Sequence, residues 1–129
     1  MDNNTECNCS PGELMIFPCA GACNVGQISN DLAKKLSIDG LGKMACIAAV
    51  GAGGMMAINA AKATKIVLAI DGCPVGCARK ILDKAGVPPT LQVCITDIGM
   101  KKTDELVYGL PEFEKARTMT SDRLKTLTR

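Results

Sequence analysis

The stretch Ile66-Val67-Leu68-Ala69-Ile70-Asp71-Gly72-Cys73-Pro74-Val75-Gly76-Cys77 decides the reading of this chain. Its first five residues are aliphatic and partly β-branched, the composition of a strand buried on both faces. Asp71-Gly72 turns the backbone. Pro74 suits the first turn of a helix, where its missing N–H leaves no partner unsatisfied. A helix is therefore predicted from Pro74 to about residue 85, with Gly86 ending it. Two cysteines, spaced Cys-x-x-x-Cys, fall between the strand and that helix.

The same design occurs earlier in the chain. Leu14-Met15-Ile16-Phe17 is a short apolar run, followed by Pro18 and by Cys19-x-x-x-Cys23. Val25, Ile28, Leu32, Ala33 and Leu36 then recur at helical spacing. Between the two units, residues 44–50 are apolar and predict another strand. Gly51-Ala52-Gly53-Gly54 breaks it, and residues 55–65, rich in alanine, predict a helix. Pro88-Pro89 precedes a predicted strand at 90–96. Beyond Lys101 the chain predicts a helix started by Pro111 and running to about residue 119, then a short capped segment from Ser121.

Strands thus alternate with helices. The expected fold class is α/β: a small, mostly parallel sheet with right-handed βαβ crossovers. The cysteine loops are expected at the C-terminal ends of the strands, where such sheets build their sites. Residues 1–13 read as a polar tail carrying Cys7 and Cys9. Residues 14–129 read as one domain, with a peripheral helical segment from about residue 101.

Composition narrows the function. Histidine is absent from all 129 residues. That excludes Ser-His-Asp and Cys-His catalysis and any His-ligated zinc, haem or corrinoid. Aromatics are 2% of the chain, Phe17, Phe113 and Tyr108, so the core must be aliphatic and bases have few platforms to stack on. The net charge is +2, and the basic pairs Lys34-Lys35 and Lys101-Lys102 read as solvated faces. No nucleic-acid or membrane partner is expected, and the possible protein partner is left unspecified. Gly51-Ala52-Gly53-Gly54 is neither a dinucleotide fingerprint nor a P-loop. Met44, Met55, Met56 and Met100 read as core filler.

Eight cysteines remain to be explained. The N-terminus, Met1-Asp2-Asn3-Asn4-Thr5-Glu6, has neither a basic stretch nor an apolar one, so no signal peptide is expected and the location is read as cytoplasmic. In a reducing compartment, cysteine clusters bind metals or do redox chemistry. Spacing alone points to Cys19, Cys23, Cys73 and Cys77. Cys46 is placed on the second strand, able to reach the same sheet edge. Cys94 reads as core, and Asp71 as a residue that caps the turn beside Cys73.

The residues Asp71-Gly72-Cys73-Pro74-Val75-Gly76-Cys77-Ala78-Arg79-Lys80 resemble the central signature of the DGC-domain family of zinc-binding proteins. Phe17-Pro18-Cys19-Ala20-Gly21-Ala22-Cys23-Asn24-Val25-Gly26 is similar to that family's first cysteine motif. Gly42-Lys43-Met44-Ala45-Cys46-Ile47-Ala48 is similar to its second, and Thr96-Asp97-Ile98-Gly99 to its closing strand. The resemblance spans about residues 14–102. It implies zinc, held by Cys19, Cys46, Cys73 and Cys77, with Cys23 in reserve as a ligand. It implies no reaction, so whether the protein is an enzyme stays open. The expected function is a cysteine-thiolate zinc-binding module acting as scaffold, metal carrier or regulator. The alternatives are a thiol redox or sulfur-transfer protein using Cys73 and Cys77, and an iron–sulfur protein.

Overall fold

A computed structural model describes residues 13–127. The expectations for residues 1–12, among them the tail thiols Cys7 and Cys9, lie outside the described residues. Four strands form one sheet in the order β2-β1-β3-β4. They are β1 (Leu14–Pro18), β2 (Lys43–Met44), β3 (Ile66–Asp71) and β4 (Leu91–Cys94). Every pairing is parallel, and β1 and β3 align from Leu14↔Ile66 to Pro18↔Ile70.

Both faces of the sheet are covered, which is why its central strands are apolar at every position except Asp71 at the end of β3. Leu14, Ile16, Leu68, Ile70 and Val93 pack on one face with α1 (Asn24–Ile38) and α5 (Leu110–Leu127). Met15, Phe17, Val67 and Ala69 pack on the other face with α2 (Ile47–Gly51), α3 (Met55–Ala63) and α4 (Cys77–Lys84). This sidedness follows from strand order. The chain leaves β1 toward β2 in one direction and leaves β3 toward β4 in the other. Right-handed crossovers then place α1 and α4 on opposite faces. The gap between β1 and β3 is consequently the point where the winding reverses, and a crevice opens beyond their carboxyl ends.

Four local expectations are corrected. The strand predicted over 44–50 is only two residues long. The amide of Ala45 still donates to the Ile16 carbonyl at 2.8 Å, and then Cys46 caps α2. The alanine-rich run that follows finds no further strand to pair with and closes its hydrogen bonds helically. The strand predicted over 90–96 stops at Cys94 because β3 ends opposite it at Asp71. Residues Ile95–Ile98 wind into a 3-10 turn. The C-terminal segment is one helix, not two. Ala116, Thr120 and Leu124 form a buried stripe at four-residue spacing, which carries the helix through Ser121. Met55 and Met56 are exposed and do not fill the core. Among the described residues no helix is long and apolar enough to cross a membrane.

Candidate functional site

Beyond β1, the amide of Cys19 still donates to the Ile70 carbonyl of β3 at 2.9 Å, so this cysteine is held where the two central strands end. Its Sγ accepts from the Gly72 amide at 3.3 Å and lies 3.3 Å from the hydroxyl of Ser29 on α1. Ala20 then takes a left-handed conformation, φ +52°, and the chain turns into α1. Cys23 is the N-cap of that helix. Its buried Sγ occupies the place of a serine oxygen and accepts from the Gly26 amide at 3.4 Å.

The second loop corrects the expectation for Pro74. Helix α4 begins at Cys77, with Gly76 as its N-cap in a left-handed conformation. Cys73 to Gly76 form a turn closed by a 3.1 Å bond from the Gly76 amide to the Cys73 carbonyl, with Pro74 in the turn position that its fixed φ favours. Cys73 therefore precedes the helix start instead of capping it. Asp71 decides this. Its carboxylate, 1% exposed, accepts from the amides of Ala78 at 2.7 Å and Arg79 at 3.2 Å, and from Gln92 Nε2 at 3.0 Å. The acid expected to cap the turn thus caps α4 from seven residues upstream and leaves no oxygen pointed at the thiols without a donor.

The two loops line one crevice, which holds Cys19, Cys23, Cys73 and Cys77 together with Lys102 and Asp104. Cys19 and Cys73 are half-buried, Cys23 is buried and Cys77 is exposed. Cys46, also exposed, lines a neighbouring depression with Pro18, Ala20 and Met44. The crevice thus gathers the four cysteines of the two Cys-x-x-x-Cys units, and Cys46 lines the depression on the other side of Pro18 and Ala20. Cys94 is half-buried, with Sγ 3.2 Å from the Thr96 hydroxyl. All six cysteines among the described residues are free thiols.

Three of the four crevice sulfurs receive an N–H donor, from Gly72, Gly26 and Lys102. Such donors stabilise negative charge on sulfur and orient it, as they do around metal-bound thiolates. The Lys102 ammonium, 3.4 Å from Cys73 Sγ, is held above its ordinary pKa by that hydrogen bond, by the charge of Cys73 and then by that of Cys23. An all-sulfur set with amide donors fits a thiophilic metal in kind. Among the described residues no three Cys, Asp or Glu side chains stand close enough to hold one ion as they are, so ligation requires the thiols to move.

The chain matches the DGC domain over residues 15–120. It belongs to the DGC-domain family. A relative from Pseudomonas aeruginosa (strain PAO1), the anaerobic and virulence modulator AnvM, is 38% identical over 88 residues, which cover 68% of this chain and 67% of that protein. No solved structure matches the chain. In this DGC domain, three residues that sequence reasoning passed over help to build the crevice: Ser29, Asn24 and Lys102. Lys102 was read as part of a solvated face. No local pattern distinguishes it, because it reaches Cys73 only through the path of the chain after β4.

Proposed function

We propose that this DGC domain is a zinc-binding regulatory module whose ligands are Cys19, Cys23, Cys73 and Cys77. One observation carries the reading: four thiols from two loops line a single crevice at the reversal point of the sheet. The amide and ammonium donors aimed at three of the sulfurs support it. Cys46, which the family motif favours as a ligand, lies in the adjoining depression and is the competitor of Cys23 for the fourth position.

Zinc held by four thiolates has a closed coordination shell and supplies cross-linking energy to the fold, not an open catalytic position. The chain's own residues prepare for that role. Asp71 anchors the start of α4, and with it Cys77. Gly72 and Gly26 present their amides to sulfur. Cys23 joins the crevice to α1. A thiolate site is lost on oxidation, which suits a module with a relative named as an anaerobic and virulence modulator.

A second reading is reversible thiol chemistry centred on Cys73, favoured by the Lys102 ammonium at its sulfur. Native mass spectrometry of the chain purified without oxygen, with thiols counted before and after chelation, separates the two. The expected result is one zinc per chain, kept in Cys46→Ser and lost in Cys23→Ser and Cys73→Ser. Zinc lost in Cys46→Ser and kept in Cys23→Ser exchanges one ligand for the other. A metal-free chain with a disulfide, or a chain carrying an iron–sulfur cluster, overturns the zinc reading.

A further inference from the structure

Asn24 follows Cys23 directly and is 5% exposed; its Oδ1 accepts from the neighbouring Val25 amide at 2.8 Å, and its polar atoms also reach a surface segment far away in sequence. Its Nδ2 donates to the Lys101 carbonyl at 2.9 Å, and its Oδ1 accepts from the Thr103 amide at 2.8 Å. Its own amide donates to the Thr103 carbonyl at 3.2 Å. Residues 101–103 are thereby strapped to the start of α1. Lys102, in the middle of the strap, extends to the opposite loop and donates to Cys73 Sγ at 3.4 Å.

The ammonium is fully solvated, so its pairing with the Cys73 sulfur contributes little to folding. The Asn24 contacts fix residues 101–103 to the start of α1, and Lys102 is thereby placed at the crevice. Four thiolates around a divalent cation carry a formal excess of two negative charges, and binding releases the thiol protons. A fixed cation at the crevice therefore favours the metal-bound form over the metal-free one.

We propose that Lys102 is the counter-charge of the thiolate crevice and that Asn24 is its positioning residue, so that together they set how tightly the site retains a thiophilic divalent cation. The proposal rests on the metal-binding reading above and adds to it the residues that tune retention. Removal of an outer partner of this kind typically weakens a metal site by about ten- to a hundred-fold.

The test uses the full chain as wild type, Lys102→Met, Lys102→Arg, Asn24→Ala and Asn24→Asp. Two rates are read at constant pH. One is alkylation of Cys73 by iodoacetamide in reduced, metal-free protein, with Cys94 as internal reference. The other is release of zinc to a chromogenic chelator. In Lys102→Met, Cys73 is expected to react several-fold more slowly and zinc to leave about tenfold faster. Lys102→Arg keeps both rates near wild type, which a loss of packing alone would not produce. Asn24→Ala reproduces Lys102→Met and speeds amide exchange over residues 100–104. If Asn24→Ala does not fold, Asn24→Asp, which keeps the Thr103 contact and loses the donor to Lys101, takes its place. Wild-type alkylation of Cys73 in Lys102→Met, or wild-type zinc release from it, overturns the proposal. A wild-type chain that takes up no zinc, beside a Lys102→Met chain that alkylates slowly, overturns the zinc reading and the retention role with it, and leaves only the Lys102–Cys73 pairing standing.

Discussion

A methyl group on Gly72 would fall 2.7 Å from the amide nitrogen of Gly26. One on Gly26 would fall 2.4 Å from the carbonyl oxygen of Gly21. The second cysteine loop therefore nests at Gly72 against the first turn of α1, which nests at Gly26 against Gly21 of the first loop, with no side chain between them, and this close approach lets Cys19, Cys23, Cys73 and Cys77 share a crevice. Gly72→Ala must push the loops apart, because the atoms it meets are backbone. A loss of about 2–3 kcal/mol in stability is expected, read as a lower urea midpoint. Gly51→Ala is the contrast. Its methyl would make ordinary contact with Ile81 at 3.7 Å, and it is expected to be neutral or slightly stabilising. Equal midpoints for the two variants would refute the nesting argument.

Asp71 holds three donors while almost fully buried. Asp71→Ala leaves the amides of Ala78 and Arg79 without their cap, and a cost of about 2–3 kcal/mol is expected, with Asp71→Asn costing less. The local signature is faster hydrogen exchange at those two amides. Protection at Ala78 and Arg79 that survives Asp71→Ala would mean that α4 starts for another reason.

Tyr108 is the chain's one tyrosine, and Trp is absent, so its ultraviolet signal is unmixed. Its hydroxyl donates to Asp31 on α1, and its ring stacks on Phe113 with centroids 6.2 Å apart. Burial first, and then the hydrogen bond and the charge of Asp31, push its pKa up to about 12. An unfolded tyrosine titrates near 10. Between these values the unfolded chain has lost a proton that the folded chain keeps, so stability falls as pH rises. The Tyr108 contribution is complete below pH of about 10 and is lost as pH climbs through about 12. Absorbance at alkaline pH checks this, with Asp31→Asn expected to titrate lower. An Asp31→Asn curve that overlays the wild type would remove Asp31 as a cause.

Metal retention is expected to appear as stability. A ligand that binds only the folded chain raises the melting temperature by mass action. Zinc added to reduced, metal-free protein should raise Tm in wild type and in Cys46→Ser, and leave Cys23→Ser unchanged. A rise of equal size in all three would remove Cys23 as a ligand.

Much of the fold was legible locally. The aliphatic run at Ile66–Asp71, its counterpart at Leu14–Pro18 and the helical spacing after Cys23 are short-range patterns, and each formed the expected element. The pair of Cys-x-x-x-Cys units after parallel strands implied convergence, and their four thiols line one crevice. The alanine-rich segment after Met44 was misread because small apolar residues satisfy a strand and a helix equally until neighbours decide. Helix α5 outran its expected end because Thr120, polar in composition, is buried against the rest of the domain.

By itself, the sequence determined that strands and helices alternate, that catalysis by histidine is impossible, and that any transition-metal site would have to be sulfur-dominated. Those properties depend on residue type and on spacing within one element. Only the tertiary structure decided that Cys23 and not Cys46 shares the crevice, that α4 begins at Cys77, and that Asn24 brings Lys102 to Cys73. Each of these rests on hydrogen bonds or close backbone contacts between segments remote in the chain, and such contacts exist only once the sheet has set which loops face each other.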